Sequence, residues 1–294
     1  MVRFECYETK SLAEAIVLLG RHSGAANILA GGTDLLVEIK DKIRKPQYLV
    51  NIKRIPGLDT FAFDEEQGVR FGATVTARQI ETAPIIKEKY LGLWQAVREL
   101  GSIQVRNRAT VVGNICRASP SADTLPPMIA DDALVHIVGS TGERTVPMEI
   151  FFIGPGETVL RPDDVVTGIT IPAPSGNTGK VYIKHGRRKA MELASVGVAV
   201  RLVREGDRCQ EARIVLGAVA PTPIRAKQAE AILTGHAFSQ ALVEKAAEAA
   251  RQEARPISDV RASQAYRAQM VEVLTRRALR SAWEAAYNPN TQFL

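Results

Sequence analysis

Strand-like apolar runs alternate with helix-like stretches along the first part of the chain. Residues 3–7, 27–30 and 48–52 have the composition of short strands. Residues 34–42 have the spacing of a helix, which Pro46 should end. The pattern therefore predicts strands and helices in alternation.

Side chains suited to capping predict where helices begin. Ser11 is followed by Glu14, and Thr76 by Gln79, at the spacing at which two side chains accept hydrogen bonds from each other's main-chain N–H groups. We therefore expect one helix to begin at Ser11 and two helices to lie between Thr76 and residue 100.

More strands follow, and a break comes after them. Strands are expected at residues 60–63, 69–73, 133–138, 144–146 and 164–171, the third and fourth of which form a hairpin. The stretch 172–179 is rich in proline, glycine and polar residues, which is typical of a linker. This break predicts a domain boundary.

Beyond the linker, successive strands are followed by helices. The pattern predicts strands at residues 181–185, 195–203 and 211–219 and helices at residues 226–233, 239–253 and 263–286. Strands that follow one another without intervening helices favour an antiparallel sheet.

The composition is that of a soluble globular chain without metal ligands. Of 294 residues, 46% are hydrophobic and 24% charged. No apolar run approaches the roughly 20 residues of a membrane span, and the first residues lack a signal-peptide core, which favours the cytoplasm. Neither the widely spaced cysteines (Cys6, Cys116 and Cys209) nor the histidines show ligand spacing, so we expect any metal to sit on another chain.

The net charge of +6 includes two short basic runs, at residues 40–45 and 187–189. Such runs are usually solvated faces, and the alternatives are attraction to an acidic partner subunit or to an anionic cofactor. Nucleic-acid binding is disfavoured because aromatic residues make up only 5% of the chain and none flanks these runs.

A glycine pair lies at a predicted strand-to-helix turn, within Leu29-Ala30-Gly31-Gly32-Thr33-Asp34-Leu35-Leu36. Two glycines allow the main chain to approach a phosphate closely, beside the positive end of a helix. Thr33 is expected as the N-cap or as a phosphate contact, and Asp34 is expected to point away or to bond a sugar hydroxyl. Taken alone, a Gly-Gly turn is more often only a turn.

The stretch 102–123 is the second unusual feature. It is rich in hydroxyl and amide side chains, with one aliphatic patch at Val111-Val112. Because it contains few large apolar residues, we expect a segment that cannot build core, whose polar groups bind one another, water or a ligand. An ordered surface loop is the alternative.

Four motifs together resemble one family. The runs Ala30-Gly31-Gly32-Thr33-Asp34-Leu35, Thr110-Val111-Val112-Gly113-Asn114-Ile115-Cys116, Ala118-Ser119-Pro120-Ser121-Ala122-Asp123 and Asp259-Val260-Arg261-Ala262-Ser263, the last with Tyr266-Arg267, resemble the FAD-binding medium subunit of molybdenum hydroxylases of the xanthine dehydrogenase and carbon monoxide dehydrogenase type. Their order and spacing match along essentially the whole chain.

The resemblance implies an α+β fold with two domains. Residues 1–174 would form an FAD-binding domain of the vanillyl-alcohol oxidase type, made of two α/β lobes. Residues 178–288 would form the C-terminal domain of the carbon monoxide dehydrogenase flavoproteins, an antiparallel sheet with helices.

The resemblance also implies the residues that contact FAD. Residues 29–36 would wrap the pyrophosphate, a second strand of the cradle would come from residues 110–114, and Asp123 would accept hydrogen bonds from ribityl or neighbouring hydroxyls. Val166 and Lys184 would lie at the isoalloxazine edge, where a positive charge stabilises the reduced flavin and raises its potential; a solvated lysine on a strand is the alternative. The full set is Leu29, Ala30, Gly31, Gly32, Thr33, Asp34, Leu35, Leu36, Leu100, Gly101, Ala109, Thr110, Val111, Gly113, Asn114, Asp123, Val166 and Lys184.

The sequence departs from the family in the segment after the basic pair Arg187-Arg188. Relatives often have an acidic residue and then an aromatic one after the basic pair, where this chain has Met191-Glu192-Leu193. We therefore expect no aromatic side chain from this segment to stack on the flavin. The cysteine-rich insertion of some relatives is absent, and Cys116 is interpreted as a small buried residue.

The implied function is electron transfer within a larger oxidoreductase. The chain would carry FAD and pass electrons from iron–sulfur clusters to NAD, a quinone or a ferredoxin. Molybdopterin would sit on a large partner subunit and the 2Fe–2S clusters on a small one, in a heterotrimer that is commonly doubled. The alternatives are a self-sufficient FAD oxidoreductase with its own substrate and a structural or regulatory subunit whose flavin site has decayed.

Overall fold

The computed structural model describes residues 3–287. These residues divide into two compact units, each built from separate stretches of sequence. The first unit contains the chain up to Ile80 together with Ile103–Ala118 and Ala133–Pro172. The second contains Glu81–Ser102, Ser119–Asp132 and the chain from Ala173 onward. The domain boundary expected near residue 174 stays a prediction.

A small parallel sheet opens the first unit. Its strands are β1 (Glu5–Glu8), β2 (Ala26–Leu29) and β3 (Tyr48–Asn51), in the order β1-β3-β2, and its helices are α1 (Leu12–Arg21) and α2 (Leu35–Lys40). Ser11 caps α1 as predicted, since its hydroxyl accepts from Glu14 N at 3.2 Å. The apolar side chains of Leu29, Ile39 and Leu49 form a common core, which fixes α2 against the sheet.

An antiparallel sheet completes the first unit. Its strands are β4 (Phe61–Asp64), β5 (Gly68–Gly72), β6 (Leu134–Gly139), β7 (Gly142–Pro147) and β10 (Val165–Ile171), in the order β4-β5-β10-β6-β7. Strands β8 (Phe152–Gly154) and β9 (Glu157–Thr158) form a separate small hairpin. The predicted hairpin of β6 and β7 is confirmed. A β-bulge falls between Val166 and Gly168, where β10 pairs with β6.

The region between Thr76 and residue 100 contains three helices, so the prediction of two was wrong. They are α3 (Ala77–Thr82), α4 (Pro84–Lys89) and α5 (Leu91–Glu99). The predicted cap at Thr76 is confirmed by reciprocal hydrogen bonds with Gln79 of 2.8 and 3.2 Å. Pro84 occupies the first turn of α4, where its missing N–H is not needed, and therefore separates α4 from α3.

The stretch 102–123 was wrongly expected to build no core. It forms α6 (Ile103–Arg106) and α7 (Val111–Arg117), and Val111 and Ile115 of α7 are fully buried. The few aliphatic residues lie on one face of this short helix and are enough to bury that face. The polar residues occupy the remaining positions.

The second unit is built on the predicted antiparallel sheet. Strands β11 (Thr178–His185), β12 (Val196–Glu205) and β13 (Arg208–Gly217) pair in sequence order, and the short strands β14 (Ile224–Arg225) and β15 (His236–Ala237) pair with β13. The helices of this unit include α8 (Leu125–Ala130), α9 (Lys227–Leu233), α10 (Gln240–Glu253) and α11 (Gln264–Tyr287). Aliphatic residues from the sheet, α9, α10 and α11 share one hydrophobic core.

The motif at Asp259 and Arg267 has a structural role. The guanidinium of Arg267, which is only 1% exposed, donates to Asp259 at 2.7 Å and to the carbonyl oxygens of Ser195 and Ala218 at 2.9 and 3.1 Å. Hydrogen bonds from Arg261 and Arg267 hold the pKa of Asp259 well below its usual range. The start of α11 is thereby tied to β12 and to the end of β13.

No helix among residues 3–287 is both long enough and apolar enough to cross a membrane.

We predict that Asp259→Asn destabilises the protein by about 3 kcal/mol, because the buried Arg267 guanidinium loses its counter-charge. Equilibrium urea unfolding measures the change, with Asp207→Asn at an exposed turn as the control. Because the pKa of Asp259 is lowered on folding, its contribution is present above the unfolded pKa and is lost as the pH falls towards the folded value. Equal unfolding midpoints for the two variants would contradict this role.

Candidate functional site

Two turns of the first unit lie in direct contact through their main-chain atoms. Gly31 follows β2, and the other turn, at Arg108 and Ala109, precedes α7. A methyl group built on Gly31 would lie 2.9 Å from Cα of Ala109 and even closer to the carbonyl oxygen of Arg108. No real side chain tolerates such a distance, so only glycine lets the turns approach this closely. Two segments that lie far apart in the sequence are therefore brought together in the first unit.

The second turn is fixed by hydrogen bonds as well as by packing. Ala77 N donates to the carbonyl oxygen of Ala109 at 2.7 Å, and Thr76 and Thr110 form an isolated β-bridge. These bonds join the turn to the start of α3. The approach of Arg108 and Ala109 to Gly31 therefore does not depend on Gly31 alone.

Gly32 is required for a different reason from Gly31. Its φ of +75° lies in the left-handed region, which side chains other than glycine rarely adopt. A methyl group there would also lie 2.9 Å from Leu29 Cδ1 and 3.2 Å from Leu36 Cδ1. Gly31 is thus needed for a close approach of main chain to main chain, and Gly32 is needed for a left-handed backbone conformation.

The start of α7 corrects the expectation of a second cradle strand at residues 110–114. Thr110 is the N-cap of α7, and its hydroxyl accepts from Gly113 N at 2.9 Å. A methyl group on Gly113 would lie 2.8 Å from that hydroxyl oxygen and would displace the cap. The first turn of a helix leaves N–H groups without helical partners, so this arrangement offers donors and not a strand edge.

Asp34 occupies the N-cap position of α2, which excludes the first of the two alternatives for Thr33, and the phosphate contact stays a prediction. The side chain of Asp34 makes no capping hydrogen bond. Burial raises the pKa of Asp34, an effect that the nearby guanidinium of Arg117 opposes. Asp34 as a whole is nevertheless exposed, so its carboxyl remains accessible beside the glycine turn.

Glu38 links the two motifs through ion pairs, and no local pattern in the sequence indicated this. Its carboxylate is paired with Arg44 at 2.7 Å and with Arg117, at the end of α7, also at 2.7 Å. The Glu38 side chain is 11% exposed, whereas Arg44 and Arg117 are 39% and 36% exposed, so solvent screens part of the interaction. The ion pair between Glu38 and Arg117 fixes α2 relative to α7 and so holds the two turns close together.

These features fit a diphosphate. Gly31 and Gly32 leave main chain uncovered by side chains, and the start of α7 adds first-turn N–H groups. Main-chain N–H groups at glycine turns and helix starts favour phosphate oxygens by hydrogen bonding and by the helix dipole. The cradle lies wholly within the first unit.

A second group of predicted site residues lies within the second unit. Leu100 ends α5 and Gly101 follows with a φ of +54°. Asp123 accepts from Lys184 Nζ at 2.8 Å and from the Tyr182 hydroxyl at 2.7 Å. The Lys184 side chain is only 6% exposed, so the alternative of a solvated lysine is wrong. Tyr182 was not predicted, because its partner is far away in sequence.

Opposing effects act on the Asp123 carboxyl. Burial raises its pKa to about 6, while the charge and hydrogen bond of Lys184 and the hydrogen bond of Tyr182 work in the other direction. Burial and the Asp123 charge raise the pKa of Tyr182 well above its usual value, so this hydroxyl stays protonated and donates. Tyr182 is therefore a donor near neutral pH, whereas the Asp123 carboxyl, with a net pKa of about 6, is mainly ionised only above about pH 6.

Of the two remaining predicted features, Val166 is buried and Cys116 is half-buried. Val166 is 3% exposed and lies on β10 next to the bulge. Burial raises the pKa of the Cys116 thiol to about 12, which fits a packed residue and not a reactive thiolate. Among residues 3–287, no three His, Cys, Asp or Glu side chains are grouped so that they could hold a metal ion.

Comparison with known proteins places these features in a family. A family model described as the FAD binding domain in molybdopterin dehydrogenase matches residues 2–174, and one for the CO dehydrogenase flavoprotein C-terminal domain matches residues 181–282. The chain belongs to the FAD-binding medium subunits of the molybdenum hydroxylase family. It is thus an FAD-dependent electron-transfer subunit of an oxidoreductase.

Individual medium subunits align over nearly the whole chain. The carbon monoxide dehydrogenase medium chain of Hydrogenophaga pseudoflava is 35% identical, over 96% of this chain and 97% of its own length. The xanthine dehydrogenase FAD-binding subunit of Escherichia coli O157:H7 is 30% identical, over 95% and 96%. A solved structure of the Hydrogenophaga pseudoflava enzyme superposes with a TM-score of 0.92 at 36% identity, covering 96% of this chain and 98% of that one. The predicted α+β fold is confirmed.

We predict that Gly31→Ala sharply lowers FAD retention, because the added methyl group forces the Arg108–Ala109 turn away at a cost of about 1–3 kcal/mol. The measurement is the FAD-to-protein ratio after purification, from the visible spectrum. Gly176→Ala is the matched control, since a methyl group there meets nothing within 4 Å. If Gly31→Ala retained as much flavin as Gly176→Ala, the close approach of the turns would not matter for binding.

Proposed function

We propose that FAD is held by the full set of residues named from the family resemblance, with the diphosphate on the cradle of the first unit. The observation that carries this proposal is the contact of Gly31 with Arg108 and Ala109, which builds an anion site from two sequence motifs. In this assignment the main chain of residues 29–36 and of residues 109–114 binds the phosphates. Leu100, Gly101, Asp123, Val166 and Lys184 contact the rest of the cofactor.

The residues of this chain bind and orient the cofactor. When bound, FAD takes up electrons singly and releases them in pairs, which suits it to stand between one-electron centres and a two-electron acceptor. Gly31, Gly32 and Thr110 keep the cradle open and its donors fixed. Lys184 supplies a hydrogen-bond donor whose charge Asp123 balances.

The partners that we propose are a large subunit carrying molybdopterin and a small subunit carrying 2Fe–2S clusters. Relatives named medium chains support this assembly, because the name places them between a larger and a smaller chain. We further propose a doubled heterotrimer that passes electrons to NAD, a quinone or a ferredoxin. The cytoplasmic location expected from the sequence stays a prediction.

We predict that affinity purification of the tagged chain from its native host yields two further chains, together with molybdenum, iron and FAD. The expected visible spectrum contains flavin and iron–sulfur absorption, and substrate bleaches the flavin only when all three chains are present. The isolated FAD-loaded chain provides the control. Turnover of an organic substrate by the isolated chain would contradict the role as an electron-transfer subunit and would favour a self-sufficient oxidoreductase.

A further inference from the structure

One face of β11 carries buried polar side chains, all within the second unit. Lys180, Tyr182 and Lys184 are two residues apart and so point to the same side of the strand. Lys180 pairs with Asp131 at 2.9 Å, and both side chains are nearly inaccessible to solvent. Tyr182 and Lys184 both donate to Asp123. The strand thus holds two separate buried ion pairs. A tyrosine hydroxyl donates to the carboxylate of one pair, and in the other pair the Lys180 ammonium lies 4.4 Å from the centre of the Tyr90 ring.

Tyr182 is fixed on several sides. Its main-chain N–H donates to Gln95 Oε1 at 2.7 Å, and its side chain is almost fully buried. A methyl group on Gly197 of the neighbouring strand would lie 2.7 Å from the Tyr182 hydroxyl oxygen. Gly197 therefore leaves the space that the phenol needs to reach Asp123.

The hydrogen bonds of the cluster leave Lys184 one donor. An ammonium group has three N–H donors. Within residues 3–287, one reaches Asp123 at 2.8 Å and another reaches the carbonyl oxygen of Glu99 at 3.2 Å. The third can serve an acceptor on a ligand. Because the Asp123 carboxylate balances the charge of Lys184, the ligand meets an oriented donor and not a lone cation.

We propose that Tyr182 is a positioning residue, which acts through Asp123 to set the direction and the effective charge of Lys184 towards FAD. The inference rests on the proposed contact between Lys184 and FAD. The hydrogen bond from the Tyr182 hydroxyl partly neutralises the Asp123 carboxylate, so the carboxylate compensates less of the Lys184 charge. A more positive site stabilises reduced FAD, because reduction adds negative charge to the cofactor.

This arrangement gives two substitutions effects of opposite sign on the flavin potential. In Tyr182→Phe, titrated well above pH 6 so that Asp123 stays ionised, the carboxylate loses a donor and compensates Lys184 more fully, so the midpoint potential of FAD falls. In Asp123→Asn, the compensating charge is removed, so the potential rises. A purely structural role for the cluster predicts loss of stability without this opposite pair of shifts.

The test is spectroelectrochemical titration of FAD in the purified enzyme complex, with FAD content and thermal melting measured on the same samples. Asp131→Asn is the matched control, since it breaks the neighbouring buried pair on the same strand face without touching Asp123. We expect a lower potential for Tyr182→Phe, a higher one for Asp123→Asn and an unchanged one for Asp131→Asn, whatever their melting temperatures.

Two other outcomes overturn the inference, and they are distinguishable. If Lys184→Met shifts the potential while Tyr182→Phe does not, or shifts it upward, Lys184 contacts FAD but Tyr182 does not position it. If Lys184→Met changes neither the FAD content nor the potential, the proposed contact with FAD itself is wrong.

Discussion

The close contact of main chain with main chain at Gly31 is the constraint on which the cradle depends. Without a side chain at this position, the turn after β2 reaches the turn before α7, although more than seventy residues separate them in the sequence. Hydrogen bonds at Ala109 and Thr110 and the ion pair of Glu38 with Arg117 hold the same approach from other directions. The cradle is therefore specified several times over.

Each unit contains carboxylates that are buried and paired, Glu38 in the first unit and Asp123 and Asp131 in the second. Glu38, Asp123 and Asp131 each face at least one cation at 2.7–2.9 Å. Removing one partner of such a pair is costly, because the other charge is left desolvated. These pairs hold their elements in defined positions, and the pair of Asp123 with Lys184 also sets what a ligand would meet.

Local patterns in the sequence were enough for most of the fold. The caps at Ser11 and Thr76 were predictable because both partners lie within one helical turn, and the three long strands of the second unit were evident from their apolar runs. The helix α7 was missed because its few aliphatic residues lie in a stretch rich in polar ones. The break at Tyr90 between α4 and α5 carries neither proline nor glycine, so no local signal marked it.

The candidate site was predictable only where its residues stand close together in the sequence. Gly31, Gly32 and Gly113 stand in short motifs, but their separate requirements depend on atoms that only the fold brings near. Glu38 and Tyr182 meet their partners across long stretches of sequence, and a single sequence holds no trace of such pairing. Residue type alone favours the solvated alternative for Lys184, since lysines on strands are mostly solvated, and only the packing excludes it.

A crystal structure of the purified chain with FAD bound tests the central claim most directly. The account predicts diphosphate oxygens about 2.9 Å from main-chain nitrogen atoms of both the Gly31-Gly32 turn and the start of α7. A diphosphate bound elsewhere, or the two turns lying apart with side chains filling the space between them, would contradict it.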